Sequence, residues 1–462
     1  MKVQAKVLVT CVALLVLLGG VLLNLHPATA AEAVYIEPGL VSNPAERLSV
    51  IVTAGDSQAA AEAVERVGGQ VVSDLWLIEA VSARLPARRL RQLAAQPGIV
   101  SIVADKEVKS AQEPLAQPVL LDTDPLLGTN DEPMWDGWVT SYNIPVPYDG
   151  SPDAQPTNDM GTWTLVNLIS LDVGADRVHA DRVTGKGVGI AVLDSGIYYE
   201  PGVLAEFDKV LNRKFFGQVD FVGDGVCPPG NGRNQYEGYC FSNKDNSYDG
   251  YGHGSHIAGL IWNNITDQNT GVKLGIAPDA EILSVRVLGS NGTGTYADVI
   301  EGIQYVVANK YSYNVRVMNL SLSAHVTTPY FVDPINRAVE AAWANGIVVV
   351  AAAGNLGGGA ESITVPGNDP YVITVGAVGS PRTPGYWGDD YLTDWTATGP
   401  TWDGFAKPDV LAPGTYAISF MYKDPNNMKQ SDVLVQQHPD NVVASTLFRM
   451  SGTSQSTAVA SG

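Results

Sequence analysis

From residue 187 onward, apolar residues come in nearly unbroken runs instead of alternating with polar ones. Gly187-Val188-Gly189-Ile190-Ala191-Val192-Leu193 is one such run, and residues 315–322 and 347–353 repeat its character. A strand reads this way when both of its faces are buried, as in a parallel sheet. Between the runs, apolar positions recur at helical spacing over 255–262, 297–310 and 336–345. This alternation predicts an α/β domain from residue 161 to 462, with a mainly parallel sheet and helices on both faces.

An earlier segment, 47–109, has a different rhythm. Residues 48–52 read as a strand, and Ser57 can cap a helix that puts Ala60, Val64 and Val67 on one face before Gly68-Gly69 stops it. Residues 71–78 and 80–85 read as two further strands. Pro86 starts a second helix with Leu90, Leu93 and Ala94 inward, and 99–103 supplies a last strand. The order βαββαβ predicts a small α+β ferredoxin-like unit. Residues 110–160 are rich in Pro, Asp, Gly and Asn without a sustained period, which predicts a linker. Trp135 and Trp138 are unusual there and could tack it onto a neighbour.

Residues 1–30 read as a processing signal. Lys2 and Lys6 precede the apolar run from Val7 to Leu23, and Ala28-Thr29-Ala30 puts small residues at the cleavage-determining positions. The competing reading is an uncleaved anchor, since the run is near the lower limit for spanning. Either way the membrane enters only through this segment, and the rest is expected outside the cell, secreted or retained at its surface. Composition narrows the partners. A net charge of −20, from 48 acids against 28 bases, repels phosphate backbones and excludes nucleic acid as a natural partner. Of the three cysteines, Cys11 lies in the signal, so Cys227 and Cys240 are the only pair left to bridge in an oxidising compartment.

Four residues stand where chemistry could be placed. Asp194 follows the first run directly, at the carboxyl end of a parallel strand, where open α/β sheets gather their ligands. Glycines 185, 187 and 189 precede that strand instead of following it, which argues against a dinucleotide site. His253 lies among glycines just before a helix. His256 is one turn further, but two histidines three apart with no third ligand make a poor zinc site, and His256 reads better as buried structure. Asn355 ends the run 347–353 plus Gly354 and can aim a neutral donor at developing negative charge. Ser454, in Met450-Ser451-Gly452-Thr453-Ser454, opens an Ala- and Ser-rich helical stretch, beside unpaired N–H groups. Taken singly, each has an ordinary turn or capping explanation.

Together the stretches resemble the subtilisin-like serine peptidases. The matching stretches are Val192-Leu193-Asp194-Ser195-Gly196, Gly252-His253-Gly254-Ser255-His256-Ile257-Ala258-Gly259, Ala353-Gly354-Asn355, Lys407-Pro408-Asp409-Val410 with Ala412-Pro413-Gly414, and Ser451-Gly452-Thr453-Ser454. The chain order Asp, His, Ser is the subtilisin order. The resemblance implies Ser454 as nucleophile, His253 as general base and acid, and Asp194 as the group orienting the imidazole. Asn355 and the Ser454 backbone N–H would form the oxyanion hole. It implies protein or peptide substrates paired between two edges, Gly292-Thr293-Gly294 and Ser321-Leu322-Ser323. Ala352, Ala353, Gly354 and Thr364 would line the pocket for the residue before the scissile bond. None is charged, so a medium-sized apolar or polar side chain is expected there.

The same resemblance makes 47–109 an inhibitor-like propeptide, a partner of its own chain removed by self-cleavage in the linker. It requires no cofactor for catalysis but leaves room for structural calcium, with Asp224, Asp245 and Asp249 as candidates. Two departures stand out. The family's Met-Ala-x-Pro-His after the serine is here Gln455-Ser456-Thr457-Ala458-Val459, and the sequence stops at Gly462, suggesting a catalytic domain cut short. The alternative to a peptidase is a non-catalytic peptide-binding module of the same fold. A carboxyl peptidase of the sedolisin kind is excluded, because such proteins carry Glu where His253 stands.

Overall fold

The computed structural model describes residues 33–41, 46–111, 169–198, 215–222, 240–242, 248–264, 272–379, 387–423, 426–444 and 447–462. The segment expected to be a signal lies outside the described residues, as do Trp135, Trp138 and most of the expected linker. Among the described residues no helix is long and apolar enough to cross a membrane.

The N-terminal unit is a five-stranded sheet. Its strands are β1 (Tyr35–Ile36), β2 (Arg47–Thr53), β3 (Gln70–Leu75), β4 (Ala80–Pro86) and β5 (Ser101–Ala104), in the spatial order β1-β5-β2-β4-β3. Two helices, α1 (Ser57–Arg66) and the short α2 (Leu90–Ala94), complete it. Asp56, not Ser57, caps α1: its carboxylate accepts the Ala59 N–H at 2.7 Å. Strand β1, which the sequence pattern does not announce, adds in parallel to β5. Alternation along β2 and β4 splits the side chains between two faces. Val50, Val52, Val81 and Ala83 pack under α1 and α2, while Ile51 and Ala80 face the other way with Leu75 and Ile78.

The second unit is built on a nine-stranded sheet. Its parallel centre comprises β7 (Gly189–Asp194), β8 (Phe215–Asp220), β10 (Glu281–Arg286), β12 (Val315–Leu320), β14 (Val348–Ala352), β15 (Ile373–Gly379) and β17 (Val410–Pro413). β9 (Cys240–Ser242) and β16 (Tyr391–Leu392) close the two edges antiparallel. Each continuous apolar run feeds both faces at once. Ala191, Leu193, Met318, Leu320, Val349 and Ala351 pack with helices α4 (Tyr296–Asn309) and α5 (Pro334–Ala344). Ile190, Val192, Val350 and Val375 pack with α3 (His253–Trp262) and α6 (Thr453–Ser461) on the opposite face. The domain is therefore α/β with a mainly parallel sheet covered on both sides. A three-stranded antiparallel patch, β18 (Ala417–Phe420), β20 (Leu447–Met450) and β19 (Val442–Ala444), leads into α6.

The two units share one core. Ile51, Leu75, Ile78 and Ala80 join the cluster formed by α4 and α5, each of the three larger side chains contributing roughly 1.5–3 kcal/mol. Polar groups fix the register. Gln304 of α4 donates to the Asp74 carbonyl at 3.1 Å and accepts the Leu77 N–H at 3.0 Å. Asp105 accepts the Ala297 N–H at 3.0 Å, capping α4 from outside its own unit. Lys106 reaches Asp333, the N-cap of α5, at 3.3 Å.

Candidate active site

Asp194 ends β7, and His253 begins α3. Both side chains are essentially excluded from solvent, and His253 Nδ1 lies 2.8 and 2.9 Å from the two Asp194 oxygens. The Asp194 Oδ1 also accepts the Ser195 N–H at 2.7 Å, which fixes the carboxylate in its turn. A carboxylate so placed holds Nδ1 as the protonated nitrogen and leaves Nε2 as the basic one. Nε2 is buried and has no hydrogen-bond partner. His256, one turn on, is also buried. Its Nε2 donates toward the Phe448 and Ala417 carbonyls at 3.1 and 3.2 Å. Burial, with His253 nearby, lowers its pKa to about 3, so it stays neutral and structural.

Ser454 sits in the first turn of α6, which packs against α3. Its backbone N–H donates at 3.1 Å to the Ala111 carbonyl oxygen, and its hydroxyl hydrogen-bonds that same oxygen. Asn355 Nδ2 donates to it at 2.9 Å. Three donors thus converge on one carbonyl. Thr453, which the motifs do not single out, sets the aim of the amide. Its N–H and hydroxyl donate to Asn355 Oδ1 at 3.0 and 2.8 Å, leaving Nδ2 to face Ala111. The cue was present in Gly-Thr-Ser, since a buried hydroxyl beside Ser454 needs a partner.

Ala111 arrives on an extended segment. Strand β6 (Glu107–Ser110) lies between β11 (Thr293–Thr295) and β13 (Leu322–Ser323), antiparallel to both. Lys109 stands opposite Thr293, Val108 opposite Gly294, Ser110 opposite Leu322, and Lys109 also opposite Ser323. The Ser110 N–H donates to Gly292 O, and the Ala111 N–H to Ser321 O, both at 3.1 Å. All six expected edge residues therefore flank a peptide, and the peptide is the chain's own. Residue 110, expected to open the linker, is instead part of this strand. Val108 is wholly buried and Ala111 is 2 % exposed, whereas Lys109 and Glu107 point outward as an ion pair. Ala352 and Ala353 are buried on the strand leading to Asn355. Thr364 Oγ1 donates to the Ala353 carbonyl at 3.1 Å, and Gly354 N–H donates to Thr453 Oγ1 at 3.2 Å.

The departure after Ser454 leaves the helix start intact. α6 begins at Thr453 and runs through Ala458 without a break, held by Thr457 and Ser461 hydroxyls donating to the carbonyls of Thr453 and Thr457. Gln455 is fully buried, and neither of its amide atoms has a partner. Among the described residues no group of three or more His, Cys, Asp or Glu could hold a metal. Asp249 does not fit the calcium reading, because both oxygens accept backbone or hydroxyl donors. Asp224 and Asp245 lie outside the described residues. So does the Cys227–Cys240 pairing, with only the backbone of Cys240 described, in β9.

An Asp–His pair at the carboxyl end of a parallel sheet, with a serine in the first turn of a helix packed on the histidine's own, is the layout of an α/β serine peptidase, although here the Ser454 hydroxyl bonds the Ala111 and Ser321 carbonyls and not His253 Nε2. Comparison makes the assignment specific: the Subtilase family profile (Peptidase_S8) matches residues 185–462, more than half of the sequence, and the chain belongs to that family. Serine protease AprX of Bacillus subtilis (strain 168) is 34% identical over 308 residues, covering 63% of this chain and 61% of that protein. Subtilisin DY of Bacillus licheniformis is 34% identical over 249 residues, covering 54% and 72%. Fervidolysin from Fervidobacterium pennivorans, described as a keratinolytic enzyme related to subtilisin, shares the fold with a TM-score of 0.58. Its identity is 19%, over 93% of this chain and 55% of that structure. The chain thus spans less than two thirds of the length of AprX and of fervidolysin.

Proposed function

We propose that the protein is a serine endopeptidase acting outside the cell, made as a precursor whose residues 47–111 form an inhibitory propeptide. One observation carries this reading: the Ala111 carbonyl oxygen receives the Ser454 N–H and the Asn355 amide. A reactive carbonyl needs those donors where its charge develops. In the proposed reaction Ser454 Oγ attacks that carbon while its proton passes to His253 Nε2. Asp194 stabilises the imidazolium. The bond from Ala111 to Gln112 breaks as His253 returns the proton to the departing nitrogen. Water, deprotonated by His253, then opens the acyl ester and frees Ser454.

Other proteins would be cut by the same steps, pairing as added strands between β11 and β13. The buried Val108 and Ala111, with Lys109 outward, favour substrates with an aliphatic residue four before the cut and a small one directly before it. Ser454→Ala should abolish hydrolysis, because a methyl cannot attack, and should leave the precursor uncut. Comparable turnover by purified mutant and parent would overturn the assignment.

A further inference from the structure

Asp249 is fully buried, has four donors, and does no job in the reaction described above. Oδ1 accepts the Gly252 N–H at 2.8 Å and the Tyr251 N–H at 3.2 Å, and Oδ2 accepts the Ser255 N–H at 2.8 Å and the Ser255 hydroxyl at 2.7 Å. These groups bracket His253. Gly252, the N-cap of α3, has φ +100° and no side chain with which to cap the helix. Asp249 supplies that cap from three residues upstream.

The contacts continue to the Asp194 side. Having given its proton to Asp249, Ser255 Oγ accepts the Tyr198 N–H at 2.9 Å, just beyond the turn that carries Asp194. The Gly254 N–H donates to Ser195 Oγ at 2.9 Å. Gly254 and Gly196 pass so closely that a Cβ on residue 254 would lie 2.1 Å from the Gly196 oxygen. Two segments, 194–198 and 249–255, are therefore fastened together at three points, of which the Asp194–His253 contact is one.

From this we infer that Asp249 is a positioning residue for the base. Acting through Ser255 it fixes the His253 loop against the Asp194 turn, its two oxygens bonded to N–H groups on either side of His253. The inference rests on the reading of His253 as general base. The charged and titratable groups against His253 and its loop are Asp194 from β7, His256 from α3, Asp249 from the preceding loop and Asp432. The Asp432 carboxylate lies against Gly252, where a Cβ would sit 2.9 Å from Oδ2. Burial, with Asp249 nearby, holds Asp432 well above the usual carboxylate range. Burial raises Asp249 as well, but its four donors favour the charged form.

Asp249→Asn, Ser255→Ala and Ser255→Thr separate the two contributions, each assayed as purified mature enzyme beside its parent across pH. Asp249→Asn should lower kcat by about 10- to 100-fold with KM little changed, since misplacing a base costs rate more than binding. It should also move the acid limb of kcat/KM to lower pH, because a buried carboxylate held within the His253 loop is replaced by a neutral amide. Ser255→Ala should lower kcat by a smaller factor without moving that limb, and Ser255→Thr, which keeps the hydroxyl, should restore it. A parental pH profile and kcat in Asp249→Asn would overturn the inference. So would equal losses in kcat and 1/KM with an unmoved limb, the signature of general loosening. An inactive parent would instead contradict the reading of His253 itself.

Discussion

The two halves of the active site are held in different ways. The Asp194–His253 half is closed and internal. Its hydrogen bonds run to Ser195, Gly254, Ser255 and Asp249, all from the same two segments, and water is excluded. The Ser454–Asn355 half is directed at something arriving from outside the domain. Its donors end on Ala111, which an extended strand delivers from another unit. The contrast follows from the chemistry. A base must have one fixed tautomer before substrate comes, whereas oxyanion donors are of use only when a carbonyl is present.

Substitutions in the two halves should fail differently. In the internal half, Asp194→Asn keeps the shape but lets Nδ1 lose its fixed proton. A loss of about 10⁴-fold in kcat is expected, with KM nearly unchanged. Steady-state kinetics on peptides ending in Val-Lys-Ser-Ala before the cut would measure it. A loss under tenfold would mean that the carboxylate does not set the tautomer. In the outward half, Asn355→Ala removes one of the donors on the Ala111 oxygen. The expected cost is smaller, about 10²–10³ in kcat, since the Ser454 N–H remains. A change confined to KM would place Asn355 in binding and not at the oxyanion.

The smallest effect concerns how the outward half is covered. Asp105, Asp298 and Glu301 crowd where the N-terminal unit meets α4. Burial raises all three, and each of the α4 acids also feels its acidic neighbours, with Asp298 at about 6 and Glu301 at about 7. Docked, these groups hold protons more tightly than when exposed. Docking is therefore fully favoured below their ordinary carboxylate pKa and weakens as pH rises through 6 to 7. In the Ser454→Ala precursor, hydrogen exchange in β2–β4 should be slower at pH 5 than at pH 8, after correction for intrinsic rates. Glu301→Gln should flatten the difference. Equal protection at both pH values would show that these acids do not govern docking.

The four central residues of both halves were legible in the sequence. Asp194 closes a strand, Asn355 follows one by three residues, and His253 and Ser454 lie in the first turns of helices, and short motifs with glycine neighbours mark such ends. The central strands were legible because burial on both faces leaves continuous apolar runs. Strand β10 was not, because Arg286 at its end looks like a surface residue. It is buried and paired with Asp220 at 2.9 Å, on the neighbouring strand β8. Strand β6 was hidden for another reason. Glu107-Val108-Lys109-Ser110 is too short for periodicity to announce, and its partners lie far along the chain in β11 and β13. Position in the fold, not local pattern, makes it a strand. The Asp249 cap escaped notice because acidic residues among glycines read first as turn or metal chemistry.

Maturation is expected to leave Ala111 as the last residue before the cut. Sequencing the N-terminus of the mature protein, made in a host free of other peptidases, tests this most directly. A mature chain beginning at Gln112, absent from the Ser454→Ala preparation, is the predicted result. A start elsewhere, or the same start in the mutant, would contradict it.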